Sequence, residues 1–297
     1  MDQSPLITVG LPIALAIIMF GLGLALTPGD FARVARSPKA VVAALVVQVV
    51  VLPAITFGLV VLFDLPPLLA VGVMLLVASP GGTTANLFSH LFRGDVALNI
   101  SLTAINSVLA AFTIPLVTNF AIDHFDADGE LGLQFGKVLQ VIAIVLIPVA
   151  LGMVVRHLQE ERARAADKPV RIFSIVVLVI VAVGAIVGEK DNIGEYFADV
   201  GLVVALVCLI SLTLGYLVAK ALRLGQAQAV ACSMEVGIHN TTIALTIALA
   251  VLDNGTVAIP AAVYSVVMYV LAPLFGWAVT RNTAAPTTRE NAATPGV

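Results

Sequence analysis

From its first residues the chain alternates long apolar runs with short polar connections. A bilayer-spanning helix needs roughly 17 to 25 mostly apolar residues, and nine runs approach or reach that length. They are Leu6 to Leu26, Ala40 to Phe63, Leu68 to Phe92, Val96 to Phe120, Val138 to Val155, Ile172 to Val187, Val200 to Ala221, Ala227 to Leu252 and Val257 to Val279, the sixth being the shortest. Two of them are interrupted. The third contains "ASPGGTTAN", Ala78 to Asn86, and the eighth contains "SMEVGIHNTT", Ser233 to Thr242. Proline removes a helical hydrogen bond and clashes with the preceding turn, and glycine lets the chain unwind. Both runs are therefore expected to be broken helices, although a single proline kink is a common structural feature. Irregular backbone is tolerated at membrane depth only where its freed groups face protein or a watery cavity. Freed carbonyls suit a cation, and half-helix N-termini suit an anion.

Composition agrees with the pattern. The 297 residues are 60% hydrophobic and 11% charged, against about 25% charged in soluble domains, and the mean hydropathy is +1.08. This predicts an all-α membrane protein built as a single transmembrane domain over 1–297. Cys208 and Cys232 lie inside apolar runs and read as core residues. No basic region precedes the first run, which reads as a retained helix and not a signal peptide. A slightly negative net charge without a basic tract argues against nucleic-acid binding.

Alternate connections hold 13 of the 15 basic residues, including Arg33, Arg36, Lys39, Arg93, Arg156, Lys220, Arg223 and Arg281; the opposite side has Lys137 and Lys190. Because Lys and Arg mark the cytoplasmic side, the N-terminus is expected outside the cell (inner) membrane and the C-terminus inside. An odd number of spans follows. The segment 281–297 reads as a disordered cytoplasmic tail.

Seventeen of eighteen carboxylates fall in connections, tails or helix ends, and Glu235 is the exception. A charge at mid-helix costs about 2.5 to 3.5 kcal/mol on insertion scales and usually faces a protein interior with a task. The plain alternative is a protonated side chain bonded to a neighbouring helix. Asn99, Thr103, Asn106 and Ser107 share one face of the fourth run by three-and-four spacing, and Gln48 lies in the second. Singly, such residues serve helix contacts; as a set of oxygens with one carboxylate they match a hard cation such as sodium. His239 and Glu235 are four apart, but no second histidine completes a metal site and no nucleophile motif is present, so an enzyme is disfavoured. A channel or a sensor stays open as a further alternative. "RGDVALN" after the first interruption and "NGTVAIP" after the second each open the next run. This spacing suggests inverted repeats, runs one to four and six to nine, separated by the fifth. Two interrupted segments in corresponding halves point to a transporter site.

"IIMFGLGLALTPGDF" at 17–31, Gln48, "SPGGTTANLFSHLFRGDVALNIS" at 79–101 and "EVGIHNTT" at 235–242 resemble the bile acid:sodium symporter family, in order and across almost the whole chain. The resemblance is to the bacterial nine-helix form. It implies a core domain (helices within 40–120 and 200–279) with two crossed discontinuous helices, and a panel (6–26, 138–155, 172–187). It implies sodium-coupled import of a small organic anion by alternating access. Membrane lipid is the other expected partner, and no obligate protein partner is inferred. By position, one sodium would use Asn86, Asn99, Thr103 and Glu235. A second would use Gln48, Glu235, the carbonyls of Val236 and Ile238, and His239. The anion would meet Thr83, Thr84, Asn240, Thr241, Met268 and Tyr269.

Three positions depart from bacterial relatives: Ala85 and Asn99 replace serines, and His239 replaces glutamine. Imidazole offers nitrogen in place of oxygen. Either a proton replaces one sodium, since histidine titrates near pH 6.5, or His239 turns away and bonds a neighbouring helix. Met268 and Tyr269 replace a histidine and an asparagine near the ligand of one bacterial branch, which argues for a different or more apolar substrate.

Overall fold

The structure, a computed structural model, describes residues 11–33, 37–127, 135–163 and 193–281, with a few positions between 165 and 176. The start of the first expected segment, most of Ile172 to Val187 and the tail after Arg281 lie outside the described residues. The described residues form helices α1 (Leu11–Ala25), α2 (Pro28–Arg33), α3 (Pro38–Val46), α4 (Leu52–Leu62), α5 (Pro67–Ala78), α6 (Thr83–Leu91), α7 (Val96–His124), α8 (Phe135–Leu158), α9 (Ile193–Ala221), α10 (Gln226–Gly237), α11 (Thr241–Thr246) and α12 (Gly255–Thr280). A π turn, Val47–Val51, joins α3 to α4, and another, Ile247–Val251, extends α11. Among the described residues there is no strand beyond one isolated bridge.

Local chemistry sets the helix ends. Pro38 and Pro67 open α3 and α5, where a missing N–H costs nothing. Asp95 and Asn254 accept the amides of Leu98 (3.0 Å) and Val257 (3.1 Å) and cap α7 and α12. Asp64, Arg93, Asp126, Arg223 and Asp253 take positive φ just past helix ends, turning the chain back as a left-handed C-terminal residue does.

Among the described residues four helices are long and apolar enough to cross a membrane: Pro38–Leu62, Val96–His124, Val200–Ala221 and Gly255–Thr280. Their surfaces are inverted relative to a soluble protein. Leu116, Leu274 and Trp277 point outward at 71%, 59% and 58% exposure, while Asn99 and Gln48 are 0% and 3% exposed, and Glu235 on the neighbouring α10 is 1% exposed. Such a surface suits hydrocarbon, and the polar groups gather inside.

α12 packs against α5 and α9, and α10 against α9, α6 and α7. Gly72 allows the closest approach of α5 to α12, since a Cβ there would run into the Val257 carbonyl. α1 lies along α8, where Gly23 and Gly152 bring backbone against backbone.

Candidate functional site

Helical hydrogen bonding stops at Ala78 and resumes at Thr83, and stops again at Gly237 and resumes at Thr241. The two interruptions meet. Gly81 and His239 form an antiparallel bridge, in which the Gly82 N–H donates to the Ile238 carbonyl at 3.3 Å and the Asn240 N–H donates to the Pro80 carbonyl at 2.8 Å. Each break thus supplies partners for amides and carbonyls the other has freed, which a buried backbone requires. Tyr264 on α12 adds a third tie, donating its hydroxyl to the Gly237 carbonyl at 2.8 Å.

Glu235 lies one turn before the second break. Its Oε2 accepts from Asn99 Nδ2 (2.9 Å) and Thr103 Oγ1 (2.6 Å), and its Oε1 accepts from Asn106 Nδ2 (3.3 Å). All three donors stand on the same face of α7. Ser107 shares that face by spacing but does not join them; its hydroxyl bonds the Thr103 carbonyl at 2.7 Å, the usual local outlet for a helical serine. Gly81 closes the opposite side, so near that a side chain there would overlap the carboxylate.

A second cluster adjoins the first break. The π turn presents Gln48, whose Nε2 donates to the carbonyls of Val77 and Ser79, each at 3.2 Å. His239 Nδ1 lies 3.1 Å from the same Ser79 carbonyl. A carbonyl has no proton to give, so Nδ1 carries the hydrogen and donates it. The 3.4 Å approach of Gln48 Nε2 to Nδ1 then sets two donors side by side and is not a hydrogen bond. Gln48 Oε1, Asn86 Oδ1, Asn99 Oδ1 and His239 Nε2 are buried with no hydrogen-bond partner among the described residues. Three of these four orphans are amide oxygens, the atom type a hard cation prefers.

The family model for the Sodium Bile acid symporter family matches residues 12–196. The chain belongs to the sodium bile acid symporter family. That match spans the first interruption and ends before the second. An "Uncharacterized sodium-dependent transporter YocS" of Bacillus subtilis is 31% identical over 255 residues, 86% of this chain and 78% of that protein. A "Probable sodium/metabolite cotransporter BASS1, chloroplastic" of Arabidopsis thaliana is 28% identical over 260 residues, 86% of this chain but 62% of that protein, less than two thirds of its length. An "Ileal sodium/bile acid cotransporter" of Homo sapiens is 26% identical over 253 residues, 82% of this chain and 70% of that protein. The family consists of integral membrane transporters and not of enzymes.

Within this sodium bile acid symporter family member, the residues expected at the first cation position divide. Asn99, Thr103 and Glu235 converge, whereas Asn86 sits half-buried in α6 and has no hydrogen bond to Glu235. Gln48 and His239 converge on the Ser79 carbonyl, and the Ile238 carbonyl receives the Gly82 amide; Val236 is buried. Of the expected anion contacts, Thr84 Oγ1 lies 3.4 Å from the Tyr269 hydroxyl. Asn240 caps α11 by accepting from the Ile243 N–H at 3.3 Å. Thr241 and Met268 are buried, Tyr269 is exposed, and Thr83 opens α6. Asn106 was legible only as one oxygen of a face, and Tyr264 gave no signal among its apolar neighbours.

Proposed function

We propose that this chain is a secondary transporter of the cell (inner) membrane that couples the inward sodium gradient to import of a small organic anion by alternating access. One observation carries the reading. A carboxylate only 1% exposed, Glu235, stands where two helix interruptions meet, ringed by hydroxyl and amide groups of a facing helix. Asn86, Asn99, Thr103 and Glu235 would supply one sodium, with a second near Gln48, Glu235, Val236, Ile238 and His239. Sodium is cargo in this scheme, and its loading would order the crossing that receives the anion at Thr83, Thr84, Asn240, Thr241, Met268 and Tyr269.

The reciprocal pairing of the two breaks supports a nine-helix chain of inverted repeats with crossed discontinuous helices in its core. The tight α1–α8 contact through Gly23 and Gly152 supports a separate panel. The charge asymmetry of the connections supports an outside N-terminus and a cytoplasmic C-terminus.

Thermal unfolding of the purified protein in detergent, titrated with sodium against potassium, tests the coupling ion. Sodium alone should stabilise wild type by mass action, and Glu235→Ala should lose that response. A folded Glu235→Ala protein with an intact sodium response would refute the reading. A second reading, proton coupling or uncoupled transport, is favoured by one observation: around Ser79 the side chains of Gln48 and His239 present N–H groups where a cation needs oxygens. Uptake that follows a pH gradient without sodium would decide for it.

A further inference from the structure

Three side-chain donors hold Glu235, and they divide unevenly between its oxygens. An ionised carboxylate offers about four lone-pair positions. Asn99 and Thr103 meet Oε2, and among the described side chains Asn106 is the one that meets Oε1. The Thr103 hydroxyl has one hydrogen and two acceptors in reach, Glu235 Oε2 at 2.6 Å and the Asn99 carbonyl at 3.0 Å. Turning that hydrogen to the Asn99 carbonyl aims an Oγ1 lone pair at whatever sits beside Oε2. Thr103 can therefore serve the carboxylate as a donor or a cation as an acceptor, at little cost. Asn99 has a comparable option, because its Oδ1 is buried and without a partner among the described residues.

Asn106 differs. Its N–H meets Oε1 at 3.3 Å, the longest of the three bonds, and a positive N–H dipole directed at an oxygen opposes a cation at the same lone pairs. It also fixes the rotation of the carboxylate, keeping Oε2 toward Asn99 and Thr103.

Resting on the sodium reading above, we propose that Asn106 is a positioning residue that holds Glu235 when no cation is bound and is displaced by the cation that loads it. Asn106 then sets how much sodium the carrier needs. Removing it weakens the cation-free carboxylate and leaves the loaded one almost untouched.

The test is unfolding temperature in potassium and in saturating sodium, with the half-saturating sodium concentration, for wild type, Asn106→Ala and Asn106→Ser. The serine variant keeps a small polar residue should the alanine variant fail to fold. Expected is a lower unfolding temperature in potassium, near-wild-type stability in saturating sodium, and sodium binding about tenfold tighter or more, the effect of one lost hydrogen bond to a charged acceptor. An equal loss in both salts would show a merely structural contact and overturn the proposal. Weaker sodium binding would make Asn106 a cation ligand and overturn it as well. A wild type indifferent to sodium would overturn the underlying reading together with this one.

Discussion

Replacing Gly81 with alanine puts a methyl group where the Glu235 carboxylate carbon and both its oxygens already lie. Something must move, and two routes differ in cost. Pushing the carboxylate aside breaks its bonds to Asn99, Thr103 and Asn106, at about 1.5 to 3 kcal/mol each for a charged acceptor, so roughly 5 kcal/mol or more. Pushing the chain at Gly81 aside strains the two backbone bonds of the bridge, worth about 1 kcal/mol each, and adds an overpacking cost of about 1 to 3 kcal/mol. The second route is cheaper, and Gly81→Ala should therefore cost about 3 kcal/mol. In a Glu235→Ala background the obstructing atoms are gone, so the same substitution should cost under about 1 kcal/mol, a coupling of about 2 kcal/mol between contacting residues. Reversible unfolding of the four proteins in one detergent measures the cycle. Equal cost in both backgrounds would show that Gly81 and Glu235 do not compete for space.

Tyr264→Phe keeps the ring beside His239, with centroids 5.3 Å apart, and removes the donor to the Gly237 carbonyl. A buried carbonyl left unpaired costs about 1 to 3 kcal/mol, so unfolding should shift down while the sodium response persists; an unchanged midpoint would mean the carbonyl has another partner. His239→Gln exchanges an N–H donor and an unpartnered ring nitrogen for an amide that can turn its oxygen inward. On the proposed function the sodium dependence of stability should steepen, read as a higher Hill coefficient, and an unaltered curve would place residue 239 away from any cation.

Much of the candidate site was legible because polar groups and broken backbone are costly in lipid. Proline with two glycines marked the first break, and a lone mid-segment carboxylate marked the second, since neither persists in an apolar run without compensation. Two features had no such mark. The π turn that presents Gln48 inserts one residue into a helix, and "VQVVV" looks like any apolar stretch. Asn106 and Asn99 were readable as polar positions on one face, but whether each turns oxygen or nitrogen toward Glu235 depends on the partner, and only the three-dimensional contact supplies that. The pairing of Gly81 with His239 is likewise a long-range fact that no local pattern encodes.

That bridge bears on how the chain is made. A ribosome delivers the first break well before the second, and the Gly82 amide and Pro80 carbonyl find their partners only when Ile238 and Asn240 have followed. Until then the nascent first half carries polar backbone that hydrocarbon cannot accommodate, so it must wait beside water or the insertion machinery. Completion of the crossing thus waits for α10 and α11, and its tie to Tyr264 waits for α12. A chain truncated ahead of α10 would retain that mismatch permanently and become a substrate for membrane quality control.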